Sequence, residues 1–238
     1  MGGGIRGVAI AYGLARAGVN VVLLEKRFIA SAASGLNMGY VNVSAKGPEH
    51  YTILSKLSAD IYPELNEELG GGFEYEKNGA LDVAETDADF DYLSRTVEER
   101  NRVPGIDMKM LDPKETRSLE PAITPDIRGA RWCPIDGVVH PLKLVRTLLK
   151  AAIQKGAVVH CGEEVRSIHV RSGRIQSVVT TNREIYTHVV VNTAGIDASA
   201  IARMVKVNLP VFPERGQIII TEPLPRILNR AVGPFKQY

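Results

Sequence analysis

The chain has 238 residues, 45% of them hydrophobic, which is enough to bury a sizeable core as one large domain or two small ones. Its 29 basic and 27 acidic residues leave a formal charge of +2 and are interspersed, so the basic footprint of a nucleic-acid binder is excluded. Two cysteines, Cys133 and Cys161, form no CxxC and no disulfide framework, and both read as buried small hydrophobes in a reducing compartment. The longest apolar run near the start is broken by Arg16, Asn20 and Glu25 and lacks the layout of a signal peptide. A soluble, cytoplasmic protein with no transmembrane segment is the expectation.

In chain order, Ile5 to Ala17 reads as a helix stopped by Gly18, and Val19 to Glu25 as a strand, which together make half of a βαβ unit. A stretch of small residues, Ala30 to Gly39, leads to a long helical pattern from Pro48 to Leu69. Its apolar positions are Tyr51, Leu54, Leu57, Ile61 and Leu65, and Pro63 marks a kink. From Phe73 to Asp136, strands such as Ala80 to Ala84 and Gly129 to Cys133 flank helices, one of them opened by Asp112-Pro113 with Glu115 completing a capping box. After His140-Pro141 a helix runs to Lys155 and stops at Gly156. Strands then follow over Ala157 to His160, Val165 to Arg171, Arg174 to Thr181 and Glu184 to Asn192, with turns at Ser172-Gly173 and Asn182-Arg183.

The first chemistry lies at Gly2-Gly3-Gly4-Ile5-Arg6-Gly7, which satisfies GxGxxG through Gly2, Gly4 and Gly7. One glycine allows the tight turn, the next lets backbone approach a pyrophosphate, and the third lets helix pack on strand. The amides of Ile5, Arg6 and Gly7 open the helix, whose dipole favours a diphosphate, while the Arg6 side chain projects sideways to solvent. Glu25 ends the following strand at the spacing of an acid that accepts hydrogen bonds from a ribose. That acid does not separate NAD from FAD, since both carry an adenosine ribose. The five histidines show neither HxH nor HExxH spacing, so no metal site is expected.

Glu25-Lys26 followed by Ala30-Ser31-Ala32-Ala33-Ser34-Gly35-Leu36-Asn37-Met38-Gly39 resembles the E-K/R and A-S-x-A-S-G-x-N-x-G run of the D-amino-acid oxidase superfamily of flavoenzymes. The likeness continues through Asp136-Gly137-Val138-Val139-His140-Pro141, Glu163-Glu164-Val165, Val189 to Gly195, and Pro213-Glu214-Arg215-Gly216-Gln217, which leads into the next strand of the second lobe. It implies an α/β fold: a Rossmann-like FAD-binding domain over residues 1–72 and 137–209, and an incomplete mixed-sheet substrate lobe over 73–136 and 210–238. It further implies FAD as cofactor, with Gly2, Gly4, Ile5, Arg6, Gly7, Glu25, Lys26, Ser34, Gly35, Asn37, Met38, Gly39, Val165, Ala194 and Gly195 lining its site. The expected substrate is a small amine or amino acid, with oxygen, a quinone or a carrier protein as electron acceptor. Tyr40 and Asn42 are the expected neighbours on the substrate side, and Trp132 is expected to pack on the second lobe.

Family members have a complete strand before the glycine loop and continue well past the last residues seen here, so the sequence reads as truncated at both ends, with no catalytic residue assignable. Two other readings stay open beside an FAD-dependent amine oxidoreductase. One is a non-catalytic FAD-binding or scaffold subunit of a heteromeric dehydrogenase. The other is an NAD-dependent Rossmann enzyme, against which the loop after Glu25 argues.

Overall fold

A computed structural model describes residues 1–234. The last four residues of the expected lobe over 210–238 lie outside the described residues. Helices and strands run in the order α1 (Ile5–Arg16), β1 (Val22–Glu25), β2 (Tyr40–Val41), α2 (Glu49–Glu68), β3 (Ala80–Ala84), α3 (Asp87–Arg100) and β4 (Lys109–Leu111). Next come α4 (Pro113–Leu119), β5 (Gly129–Cys133), β6 (Gly137–Val138), α5 (Pro141–Gln154), β7 (Val158–Cys161) and β8 (Val165–Arg171). The chain finishes through β9 (Arg174–Thr180), β10 (Glu184–Tyr186), a 3-10 turn at Gly195–Asp197, α6 (Ala198–Arg203) and β11 (Ala231–Pro234). The mixed α/β architecture divides into two compact units, one of Met1–Met38 with Pro141–Ile219, the other of Gly39–His140 with the residues from Ile220 onward.

In the first unit, α1 buries Gly7, Val8, Ala11, Tyr12 and Ala15, a spacing of three and four that puts one stripe of the helix inward. This helix packs against α5, whose buried face is Leu144, Val145, Leu148, Ala151 and Ala152. Strands β1 and β7 pair in parallel, Glu25 opposite Cys161. Strands β8, β9 and β10 form an antiparallel meander turned at Ser172-Gly173, both with positive φ as a tight hairpin requires. The strand expected over Glu184 to Asn192 is shorter than its composition suggests. It ends at Tyr186, because Thr187 turns its hydroxyl onto the carbonyl of Val189 and the chain beyond bonds elsewhere. Cys161 is exposed rather than buried, since it lies at the end of a strand that leaves its outer residues to solvent.

In the second unit, a four-stranded sheet has the order β11-β3-β5-β4, with β11 parallel to β3 and the other pairs antiparallel. Its core holds Leu81, Val83, Ile123, Ile127 and Ala130, with Trp132 packed against them and the guanidinium of Arg230 over the Trp132 ring. Arg131 is buried. It makes a forked bond to Asp82, from Nε at 3.1 Å and Nη2 at 2.7 Å, and donates from Nη1 to Thr96, which ties α3 to the sheet. The expected capping box of Asp112 with Glu115 opens α4, and a second one, of Thr86 with Asp89, opens α3.

Helix α2 runs unbroken through Pro63, whose missing N–H costs one ladder bond to Ala59. Its apolar stripe is not a core face: Tyr51, Leu54, Leu57 and Ile61 are exposed, and the buried residues are Thr52 and Ala59. Beyond Gln217 the expected strand is not formed either. Ile218, Ile219 and Ile220 carry no ladder partner among the described residues and stand exposed.

Candidate functional site

The glycine loop is held by backbone on both sides. The Met1 ammonium donates to the Val191 carbonyl at 2.8 Å and the Thr193 amide to the Met1 carbonyl at 2.9 Å, while the Gly2 amide donates to Leu24 at 2.8 Å. Burial pulls the Met1 ammonium below its ordinary pKa, with the charge of Glu25 opposing. Gly2 sits at φ +105°, where a Cβ would collide with the Thr193 carbonyl, and a Cβ on Gly7 would collide with the carbonyl of Gly2. Close backbone packing therefore demands these two glycines. At Gly4 an added Cβ would lie 2.8 Å from the Ser34 hydroxyl.

That hydroxyl takes the first amide of α1: Ile5 N–H donates to Ser34 Oγ at 2.9 Å. The Gly4 residue that caps the helix offers no side chain, so the first-turn amides of Arg6 and Gly7 have no intrahelical acceptor and sit at the positive end of the dipole. The Arg6 residue is exposed.

Glu25 closes β1 nearly buried. Its Oε2 accepts from the Gly3 amide at 2.7 Å and its Oε1 from the Arg27 amide at 2.8 Å, so the carboxylate ties the end of the strand to the glycine loop. A carboxylate offers about four lone-pair positions. Two are used here. Lys26 pairs with Asp197 at 2.7 Å with both side chains nearly half exposed, joining the strand end to the 3-10 turn at little energetic gain.

The small-residue stretch folds as a run of turns against the glycine loop. Ala30 donates its amide to Gly3 at 3.0 Å, and Gly35 approaches the Ala30 carbonyl too closely for any side chain. Asn37 Nδ2 donates to the carbonyls of Ala33 and Ser34 at 3.0 and 2.9 Å, while Met38 is exposed. Gly39, at φ +71°, begins the other unit.

On the far side of β1, Val165 is buried in a cluster with Leu24, Ile168 and Val178. Just ahead of it, Glu163 donates its amide to the Glu25 carbonyl, and its buried carboxylate accepts from Thr180 at 2.6 Å and Arg183 at 2.9 Å. The Ala194 amide donates to Asn192 Oδ1, and Gly195 turns at φ +60°.

Gly2 to Gly7, Glu25, Lys26, Ser34 and the turn at Ala194-Gly195 thus form one connected hydrogen-bonded patch. Thr193 belongs to the same patch, its hydroxyl donating toward Met1 O at 2.8 Å and Gly2 O at 3.0 Å. A hydroxyl within the small-residue run Val189 to Gly195 was the available sign of it. Asp197 has no local sign, because its partner Lys26 is 171 residues away.

In the second unit the Tyr40 hydroxyl donates to Asp136 Oδ2 at 2.8 Å, and the amides of Val43 and Ser44 donate to Asp136 Oδ1 at 2.7 and 3.3 Å. Burial first, then the charges of Asp136 and Asp82, push the Tyr40 phenol well above its ordinary range, so it stays a donor. Asn42 accepts from the Ala45 amide. Among the described residues no group of three or more His, Cys, Asp or Glu is placed to hold a metal ion, and no helix is long and apolar enough to cross a membrane.

A glycine loop locked beneath a helix N-terminus, with an acid at the end of the adjoining strand, defines a dinucleotide-binding α/β protein. The model of the family described as "DAO: FAD dependent oxidoreductase" matches residues 1–237, and the chain belongs to that family. It is 30% identical over 239 residues to an opine oxidase subunit of Rhizobium meliloti, covering 93% of this chain and 62% of the relative. To mitochondrial sarcosine dehydrogenase of Mus musculus it is 30% identical over 236 residues, covering 96% of this chain and 26% of that one. The crystal structure of glycine oxidase from Geobacillus kaustophilus matches with a TM-score of 0.82 at 27% identity, over 89% of this chain and 58% of that one. The chain therefore spans less than two thirds of the length of these relatives.

Proposed function

We propose that the chain forms the FAD-holding part of an oxidoreductase that acts on a small amine or amino acid. The observation that carries the reading is the pairing of Glu25 with the glycine loop through the Gly3 amide. This leaves lone pairs of a nearly buried carboxylate beside a helix N-terminus that still has amides to give. The donor set fits a dinucleotide. The amides of Arg6 and Gly7 suit a diphosphate, the remaining capacity of Glu25 suits ribose hydroxyls, and the backbone at Val165 suits an adenine edge. Ser34, Gly35, Asn37, Met38 and Gly39, with Ala194 and Gly195, are the residues assigned to the more distal part of the cofactor. Gly4 keeps the approach narrow, and Lys26 braces the turn that carries Gly195 through Asp197.

When bound, FAD supplies the hydride acceptor for the carbon bearing the amine, giving an imine that water hydrolyses. The protein's part is to orient and shield, and the arrangement calls for no protein nucleophile. The amine or amino-acid substrate follows from the relatives' names, which include a sarcosine dehydrogenase and a glycine oxidase.

Adding FAD to the purified chain tests the cofactor reading directly. A ligand that binds the folded form alone raises Tm by mass action, so FAD should raise it in a saturable way and NAD should not. Equal shifts with both, or none with FAD, would overturn the reading.

A further inference from the structure

The second unit contains a half-open cleft of about 280 Å³, just under the usual size range of ligand pockets. One wall is a single face of α2, where Tyr51, Ser55, Ser58 and Tyr62 recur at the spacing of successive turns. The opposite wall is Tyr40, Asn42 and Lys46. The Lys46 ammonium lies 5.6 Å from the centre of the Tyr51 ring, and no carboxylate lies within ion-pair distance of it among the described residues. The lining carries no acid at all. The nearby carboxylate, Asp136, stands behind Tyr40, fully buried and already accepting three hydrogen bonds.

An unpaired ammonium at the rim of a cleft with aromatic walls has a definite chemical preference. The Tyr51 and Tyr62 rings and Leu54 offer apolar surface to the body of a ligand. The Ser55 and Ser58 hydroxyls and the Asn42 amide can donate to a carboxylate, while the Tyr40 proton is already given to Asp136. A cationic ligand would meet Lys46 with no acid to offset the repulsion.

We infer that this cleft binds a small monocarboxylate with an apolar or aromatic body, its carboxylate facing Lys46 and its body lying along the α2 wall beside Tyr51 and Leu54. The site is independent of the cofactor reading, since none of its residues belongs to the glycine-loop patch and binding requires no flavin.

Ligand-observed fluorine NMR on the full chain without FAD tests it, using 4-fluorophenylacetate against the neutral 4-fluorophenylacetamide. The acid should bind saturably and about tenfold more tightly than the amide, the scale of one charge-assisted hydrogen bond. Lys46→Met should lower the acid to the level of the amide and leave the amide unchanged, while Lys46→Arg should restore the preference. Ser58→Leu, at an exposed helix position, should fill the cleft and abolish binding of both, with melting curves confirming that each variant is folded. Equal affinity for acid and amide in the parent, absence of saturable binding, a preference for the acid that survives Lys46→Met, or binding of either probe that survives Ser58→Leu would overturn the inference.

Discussion

Each unit contains a carboxylate that organises a loop from beneath, and the two are used differently. Asp136 is fully buried and accepts three hydrogen bonds, all from its own unit: Tyr40, Val43 and Ser44 donate to it. Glu25 is nearly as buried but accepts from two amides only, those of Gly3 and Arg27. A buried acid most of whose lone pairs are taken by its own loop holds its own chain in place. One with capacity to spare beside free helix-terminal amides is equipped to hold something else as well.

The largest effect that separates the two should come from Asp136→Ala, which leaves two amides and a phenol unpaired in a dry site. A loss of about 3–5 kcal/mol is expected in urea unfolding, a large share of the stability of a domain. FAD should still bind whatever fraction remains folded. A variant as stable as the parent would show that water replaces the carboxylate and that the contrast between the two acids is unfounded.

Glu25→Ala should act chiefly on the ligand, weakening FAD by about 1.5–3 kcal/mol in a fluorescence titration. Glu25→Gln, which keeps one acceptor oxygen for the Gly3 amide, should fall between parent and alanine. If FAD affinity is unchanged while Tm drops, Glu25 resembles Asp136 after all.

Ser34→Ala should be milder. It removes the acceptor of the Ile5 amide, and about 1 kcal/mol of stability should go with it, as for a lost helix cap. Added FAD should not make up the difference, because the serine acts on the helix end itself.

The smallest effect lies away from both acids, on the β8–β9–β10 meander. The Ser177 hydroxyl bond holds the Glu184 carboxyl below its ordinary value of 4.5, with desolvation opposing it and His169 adding a smaller pull in the same direction as Ser177. A carboxyl depressed by folding contributes stability that is present above the unfolded value and lost as pH falls through the folded one. Glu184→Gln should therefore lower Tm slightly at neutral pH and converge with the parent in acid, which flattens the acid side of the profile. A larger acid dependence in the variant would contradict the assignment.

Features set by neighbours along the chain were legible from sequence. The Asp112-Glu115 capping box, the Ser172-Gly173 turn and the Gly2-Gly4-Gly7 loop ahead of a helix are dictated by φ preferences and by side chains within reach of their own backbone. Glu25 was legible too, because the strand fixes its distance from the loop. Tertiary structure alone decided where the strand after Glu184 stops, since Val191 and Thr193 find their partner in Met1, at the other end of the sequence. It also decided that Tyr40 gives its hydroxyl to Asp136, 96 residues on, and that Lys26 meets Asp197. On α2 it turned Thr52 and Ala59 inward and left the leucine stripe outward, an outcome that periodicity cannot settle. Local rules fix which face of an element is apolar, but burial depends on whether another surface arrives to cover it, and that is settled by contacts far apart in sequence.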